Sequence, residues 1–459
     1  MRNESASLFP NYADVTIPPN IAPLNFRLEG EMKACYATLT GENGQVFSYK
    51  GTNQIILKPG QWKKLLTGNT GKSLSVTVST QSRDGRWTTW QPFHIYISPD
   101  SIDSHLVYRL IEPGYEKWHI VGIYQRNLET FDEKPIIKND MTGYNCMNCH
   151  SFCSGDPGLM MFHMRATYGA TYIVSNGDIS KLNTKTDGTI SNMTYPYWHP
   201  SGRYITTSVN DIKQFFHSVK EKKMEVFDFE SDVIVYDVER QTILSAASII
   251  TKDAFETFPS FSPGGEWLYF CSAPATQMPE SYDSIRYNLC RVSFDAAQGR
   301  IGSTIDTLVS ATLHSTTFPR ISPDGRFLMY TETAYGQFPI WHKDAETRMI
   351  DLSDCKQIDM SVMNSDDTDS YHSWSRNSRW VVVSSRRDNG LYTLPYLVHI
   401  DASGHPSKPF LLPQKNPDMY DYFLYSYNIP ELVTGEVTVS PYALQHAAQT
   451  FPATQVRFE

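Results

Sequence analysis

Between Tyr144 and Cys153 the chain reads YNCMNCHSFC, which places three of its seven cysteines and a histidine within ten residues. Cys146-Met147-Asn148-Cys149-His150 has the C-x-x-C-H spacing of covalent haem c attachment. Two thiols add to the vinyl groups of one porphyrin, and two intervening residues set the sulfurs one helical turn apart. The next residue, His150, then lies beneath the ring and gives a nitrogen to iron. Other chemistries compete for the same side chains. With Cys153 they make part of a zinc set, though no second C-x-x-C accompanies it. An iron–sulfur cluster wants four cysteines, and a thioredoxin-type dithiol wants a βαβ setting. A structural disulfide is the plainest alternative. Haem iron usually takes a sixth ligand, and LMMFHMR just downstream offers His163 and Met161. The same methionines beside Phe162 also suit plain core packing.

The elements that must position this motif are short strands. Hydrophobic residues make up 40% of 459, and aromatics 13%, with 26 Gly and 27 Pro for tight turns. The chain exceeds one ordinary core. Its formal charge of −9 lacks a basic stripe, which excludes a nucleic-acid footprint. No run of 18 apolar residues reads as a transmembrane helix. The opening MRNESASLFPNYADV has no apolar stretch and is not a signal peptide, so the chain is either cytoplasmic or exported with its signal trimmed.

Four segments repeat: YPYWHPSGRYITTS, FPSFSPGGEWLYFCS, FPRISPDGRFLMYTE and YHSWSRNSRWVVVSS. Each has an aromatic, a short spacer, a turn and an alternating strand. The turn positions Pro200, Pro263, Pro323 and Arg376 are spaced by 63, 60 and 53 residues. Four strands and their loops fit that period, which is one propeller blade. Residues 160–183 read as a degenerate earlier blade. Another is expected from 105–125 together with the C-terminal region, which makes about six. Residues 214–230 are expected to be a partly helical insertion. Before the repeats, residues 15–100 alternate like an Ig-like β-sandwich. The expected class is all-β: sandwich 15–100, an irregular or helical connector 101–158 carrying the haem motif, propeller 159–435 and a tail 436–459 whose end, AAQTFPATQVRFE, is expected to fray.

The runs NCMNCHSF, DPGLMMFHMRA, YPYWHPSGRYI, FETFPSFSPGGEWLYFCSA and FPRISPDGRFLMYTE resemble TolB-like β-propeller proteins of the bacterial cell envelope that carry a C-x-x-C-H motif. The resemblance covers about residues 100–435 and implies haem c on Cys146, Cys149 and His150. Such proteins begin with an export or lipoprotein signal, which this chain lacks. Covalent haem attachment itself points to the periplasm or cell surface. The expected work is electron transfer or redox sensing with a redox or envelope protein partner. The rival is a non-catalytic envelope scaffold for protein or glycan, with the cysteines as a disulfide or zinc staple. Cys271 and Cys290 are candidates for a cross-strand disulfide. His199, His217, His342 and His372 are candidates for a shared rim or channel site, with hydrogen-bonded structural histidines as the alternative.

Overall fold

The structure, a computed structural model, describes residues 4–112, 120–216 and 224–459. It is mostly strand, in keeping with the all-β expectation. Six sheets, each with four antiparallel strands, account for most of the chain from residue 105 onward, and two of them carry a fifth, parallel strand at the edge. In five of them the strands pair in chain order, starting from Met147–Phe152, Met193–Trp198, Ala254–Phe261, Ser315–Ile321 and Asp369–Trp374. The remaining sheet joins distant segments. Its first strand, Ser426–Val433, pairs with His105–Ile111, which continues to Gly122–Asn127 and Glu133–Lys138. The six first strands touch in cyclic order, and Ser426–Val433 touches both Asp369–Trp374 and Met147–Phe152.

The repeated turns explain the sequence period. In three copies a serine hydroxyl accepts the backbone N–H five residues on. The pairs are Ser262 with Trp267 at 3.1 Å, Ser322 with Phe327 at 2.9 Å and Ser375 with Trp380 at 3.0 Å. His199 replaces that serine in the first copy, and its Nδ1 accepts the Ser201 N–H at 3.1 Å. Gly202, Gly265 and Gly325 hold φ between 73° and 85°, and Ser378 takes the left-handed place in the fourth copy.

The N-terminal region contains a six-stranded sheet, with Val15–Ile17 parallel to Phe93–Ile97, and a small three-stranded sheet. The helix Pro59–Gly68 was not expected. It starts with proline in its first turn and buries Trp62, Leu65 and Leu66. Its core runs on into the sheet around Trp380, whose indole donates to the Asp100 carbonyl at 2.9 Å.

Three sequence expectations need correcting. Residues 101–158 are not an irregular or helical connector, because they supply three strands of one sheet and the first strand of the next. The described part of 214–230 is not helical, and residues 217–223 lie outside the described residues. The described parts are strands, Tyr204–Phe216 and Met224–Asp237, paired as one long hairpin. The tail is not frayed. It forms the helix Pro441–Thr450, and then Thr454–Gln455 and Arg457–Phe458 add to the outer edges of two sheets. Edge pairing of this kind covers unpaired backbone groups.

Ending the chain at residue 425 should abolish the folded state. It strips the inner strand from the discontinuous sheet and removes the fully buried Tyr427. The check is circular dichroism and gel filtration. A soluble monomer with an unchanged unfolding midpoint would contradict this account.

Candidate functional site

One geometric device recurs in all six first strands. Each carries a β-bulge, where the ladder register slips by one residue. The extra residues fall at equivalent places: Cys149, Tyr195, Phe258, Phe318, Tyr371 and Ile429. Five of them, all but Tyr371, have φ between 49° and 52°. Non-glycine residues rarely hold that conformation, and it costs about 1–2 kcal/mol each. The local sequences align as CHSF, YPYW, FPSF, FPRI, YHSW and IPEL. Proline fits the second place because the bulge removes a ladder bond there. His150 and His372 stand where four copies have proline. Cys149-His150-Ser151-Phe152 is therefore a copy of the repeat, hidden in the sequence because cysteine replaces the aromatic.

All six bulge residues line one cavity of about 300 Å³. Four of them form an aromatic belt, with ring centroids 4.3 Å apart for Tyr195 and Phe258, 4.4 Å for Phe258 and Phe318, and 5.4 Å for Phe318 and Tyr371. Cys146, Cys149 and His150 all face this cavity, so the structure brings the motif together. It does so on a strand with a left-handed bulge at Cys149, not on the helical turn expected from the spacing. The cysteines are free thiols, and burial raises the Cys146 thiol above its usual range.

His150 is 2% exposed, and neither ring nitrogen makes a hydrogen bond of normal geometry. Burial, with the Arg109 charge, lowers it to about 3, although nearby backbone at Val107 and Ile429 slightly favours its proton. It is therefore a neutral imidazole at neutral pH. Arg109 ties the wall together, donating to the Met147 carbonyl at 3.3 Å and to Asn428 Oδ1 at 2.7 Å. Arg165 and Arg320 also face the cavity, and among the described residues no carboxylate does.

The long hairpin and the segment around Phe338–Trp341 cover one side. Ile212, Val226, Phe338 and Ile340 close over the aromatic belt. A buried pair holds this cover, His342 Nε2 to Glu225 Oε2 at 3.0 Å, and Tyr335 donates to Glu225 Oε1 at 2.6 Å.

The sixth-ligand candidates are not brought to this cavity. Alternation along Leu159–Met164 turns Met161 into a core with Cys153 and Trp198. His163 opens instead to a neighbouring cavity beside Asn148 and Thr171, and its Nδ1 bonds Thr171 at 2.8 Å. The histidine cluster does not assemble either. His199 bonds Ser201 and Gly265, His342 bonds Glu225, and His372 bonds the Met329 carbonyl; His217 lies outside the described residues. Among the described residues no three His, Cys, Asp or Glu side chains group as a metal site requires. Cys271 and Cys290 belong to different cores on opposite sides of their sheet, so they form no cross-strand disulfide.

A second cavity, of about 510 Å³, opens at the other end of the first strands, among the repeated turns. Pro196, Arg320 and Tyr371 border both cavities. Glu431 lines the second one and accepts the Phe152 N–H at 3.0 Å. Burial pushes its carboxyl up to about 8. No sequence signal marked this residue beyond an acid at the third place of an unrecognised repeat.

No family model and no curated protein matches the sequence. Likenesses to solved structures are slight. Puromycin hydrolase aligns with a TM-score of 0.39 at 11% identity, over 67% of this chain and 45% of its own. The chain thus spans less than half of that protein. A D477G apocarotenoid oxygenase/RPE65 chimera gives 0.41 at 10% identity, over 95% of this chain and 97% of its own. A GH74 enzyme of Niastella koreensis gives 0.41 at 10% identity, over 68% and 46%.

Glu431 makes a pH prediction with a definite sign. Its folded carboxyl titrates near 8, above its ordinary 4.5. The folded state therefore binds more protons than the unfolded state between those values, and its stability falls as pH rises through them. Glu431→Gln should be more stable than the parent at pH 8, with the gap shrinking toward pH 5. Urea midpoints across that range check it, and a constant gap would refute the burial argument.

Proposed function

We propose that Cys146 and Cys149 carry a covalently bound haem c in the aromatic cavity, with His150 as an iron ligand. On this reading the six sheets close into a six-bladed, TolB-like propeller that holds the haem at its axis. The work is electron transfer or redox sensing in the periplasm or at the cell surface, with a redox or envelope protein as partner.

The observation that carries this is the convergence of all three motif residues on one apolar cavity, with His150 buried, neutral and without a well-formed hydrogen bond. A buried polar group normally finds a partner, and a neutral imidazole nitrogen is a metal ligand. The aromatic belt offers apolar faces to a planar ring. Arg109 and Arg165 offer cations to its carboxylates, and among the described residues no acid on the wall competes. When bound, haem supplies one-electron chemistry at iron. This chain's residues anchor it, exclude water from one face and keep the imidazole unprotonated. Met161 and His163, as they are placed here, would not help to hold the group.

The rival, a scaffold with a thiol or zinc staple, is separated by one experiment. The chain is exported in a host with c-type maturation and examined as a reduced pyridine haemochrome, beside a Cys146→Ala/Cys149→Ala control. A covalent α-band in the parent alone is expected. No haem in either sample, while a control cytochrome matures normally, would overturn the reading in favour of the scaffold. His150→Ala should keep the covalent band while shifting the Soret maximum and the reduction potential from those of the parent. An unchanged Soret band and potential would remove His150 from the iron.

A further inference from the structure

The third place of the six aligned segments lines the second cavity in every copy but that of Phe258–Phe261. It holds Ser151, Tyr197, Ser260, Arg320, Ser373 and Glu431. The arginine is the one permanent cation among them. Arg320 is 8% exposed and borders both cavities, so its guanidinium stands in the neck between them. Its Cζ lies 4.8 Å from the Tyr197 ring centroid and 5.8 Å from that of Tyr371. Its Nη1 donates to the Pro319 carbonyl at 2.8 Å. Among the described residues no carboxylate pairs with it at ion-pair distance, in contrast to Arg203 on Asp237 and Arg387 on Asp369, both at hydrogen-bond distance.

Burial of a charge is costly unless it is paired. The acid that feels this guanidinium, Glu431, does not serve. Its own burial outweighs the attraction and keeps it protonated at neutral pH. The Tyr197 face and a hydrogen bond with the Tyr371 side chain soften the cost of the charge without cancelling it. A guanidinium is also a rigid fork of donors, shaped for a planar oxyanion. The cavity below it has room for a small molecule, and Ser151, Tyr197, Ser373 and Glu431 supply further polar groups on the same wall. A protonated Glu431 would donate to an anion where a carboxylate would repel it.

We propose that the turn-side cavity is a binding site for a small organic carboxylate, held by Arg320 in the neck of the axial channel. The site is separate from the cysteine motif, which faces the other cavity. The proposal stands whether or not the chain carries haem.

The test is isothermal titration of the purified chain at pH 7 and constant ionic strength, with acetate, succinate, benzoate and inorganic phosphate as probes. One-to-one saturable binding of at least one carboxylate is expected, at least tenfold tighter than phosphate. Arg320→Gln should weaken it at least tenfold while leaving the unliganded unfolding midpoint unchanged or higher, since it removes a buried unpaired charge. Arg320→Lys keeps the charge and loses the fork, so it should also bind at least tenfold more weakly. It serves as the readout if Arg320→Gln misfolds. Ser373→Asp places a negative charge in the turn-side cavity and should abolish binding. The proposal is overturned if no carboxylate saturates, if phosphate binds as tightly, or if affinity survives the Arg320 or Ser373 substitutions.

Discussion

The structure depends on a backbone constraint: each of the six inner strands must slip register by one residue at the same level. The slip turns a side chain out of the sheet and into the axis. It holds five non-glycine residues in left-handed geometry, at a cost of about 1–2 kcal/mol each. The ladders on both sides of each bulge, together with the ring-to-ring contacts of the aromatic belt, over-determine that geometry. Aromatic pairs contribute about 0.5–1.5 kcal/mol each beyond their burial, which offsets part of the strain. The result is a ring of six side chains at one height. One of them is Cys149.

This device explains why the haem-type motif is found on a strand. Cys149 occupies a place that elsewhere belongs to Tyr or Phe, and His150 occupies one that elsewhere belongs mostly to Pro. Proline lacks an N–H, so this second place is already free of one ladder bond. An imidazole can stand there without breaking the sheet. The exchange brings a thiol into the axial cavity and leaves a buried histidine beside it, while the neighbouring sheets keep their apolar belt. The adjacent strand brings neither Met161 nor His163 to that cavity: Met161 packs in a core with Cys153 and Trp198, and His163 opens to the neighbouring cavity.

The same ring divides the axis into two chambers of different character. Above it the wall is aromatic and aliphatic, with arginines and, among the described residues, no acid. Below it the wall is polar and is built from the third residue of five segments and from the repeated turns. Arg320, Tyr371 and Pro196 form the boundary. Burial keeps Glu431 and His372 uncharged there, leaving the guanidinium as the charge at the neck.

The all-β class, the four evident repeats with their turns, and the cysteine–histidine cluster were legible from sequence, because turn chemistry and strand alternation are local. The pairing of 105–138 with the C-terminal strand was suggested only by the count of blades. The helix Pro59–Gly68 was missed because its apolar residues are few and it follows a strand-like run. The fifth and sixth copies, CHSF and IPEL, were invisible as repeats because their signature residue is not aromatic. Only tertiary structure showed that they fill the same bulge. It also decided which cavity each side chain faces, where the tail runs, and that Arg320 stands unpaired between two chambers. Those outcomes depend on register and on closure of distant strands, and a one-residue slip reverses the face of every side chain that follows.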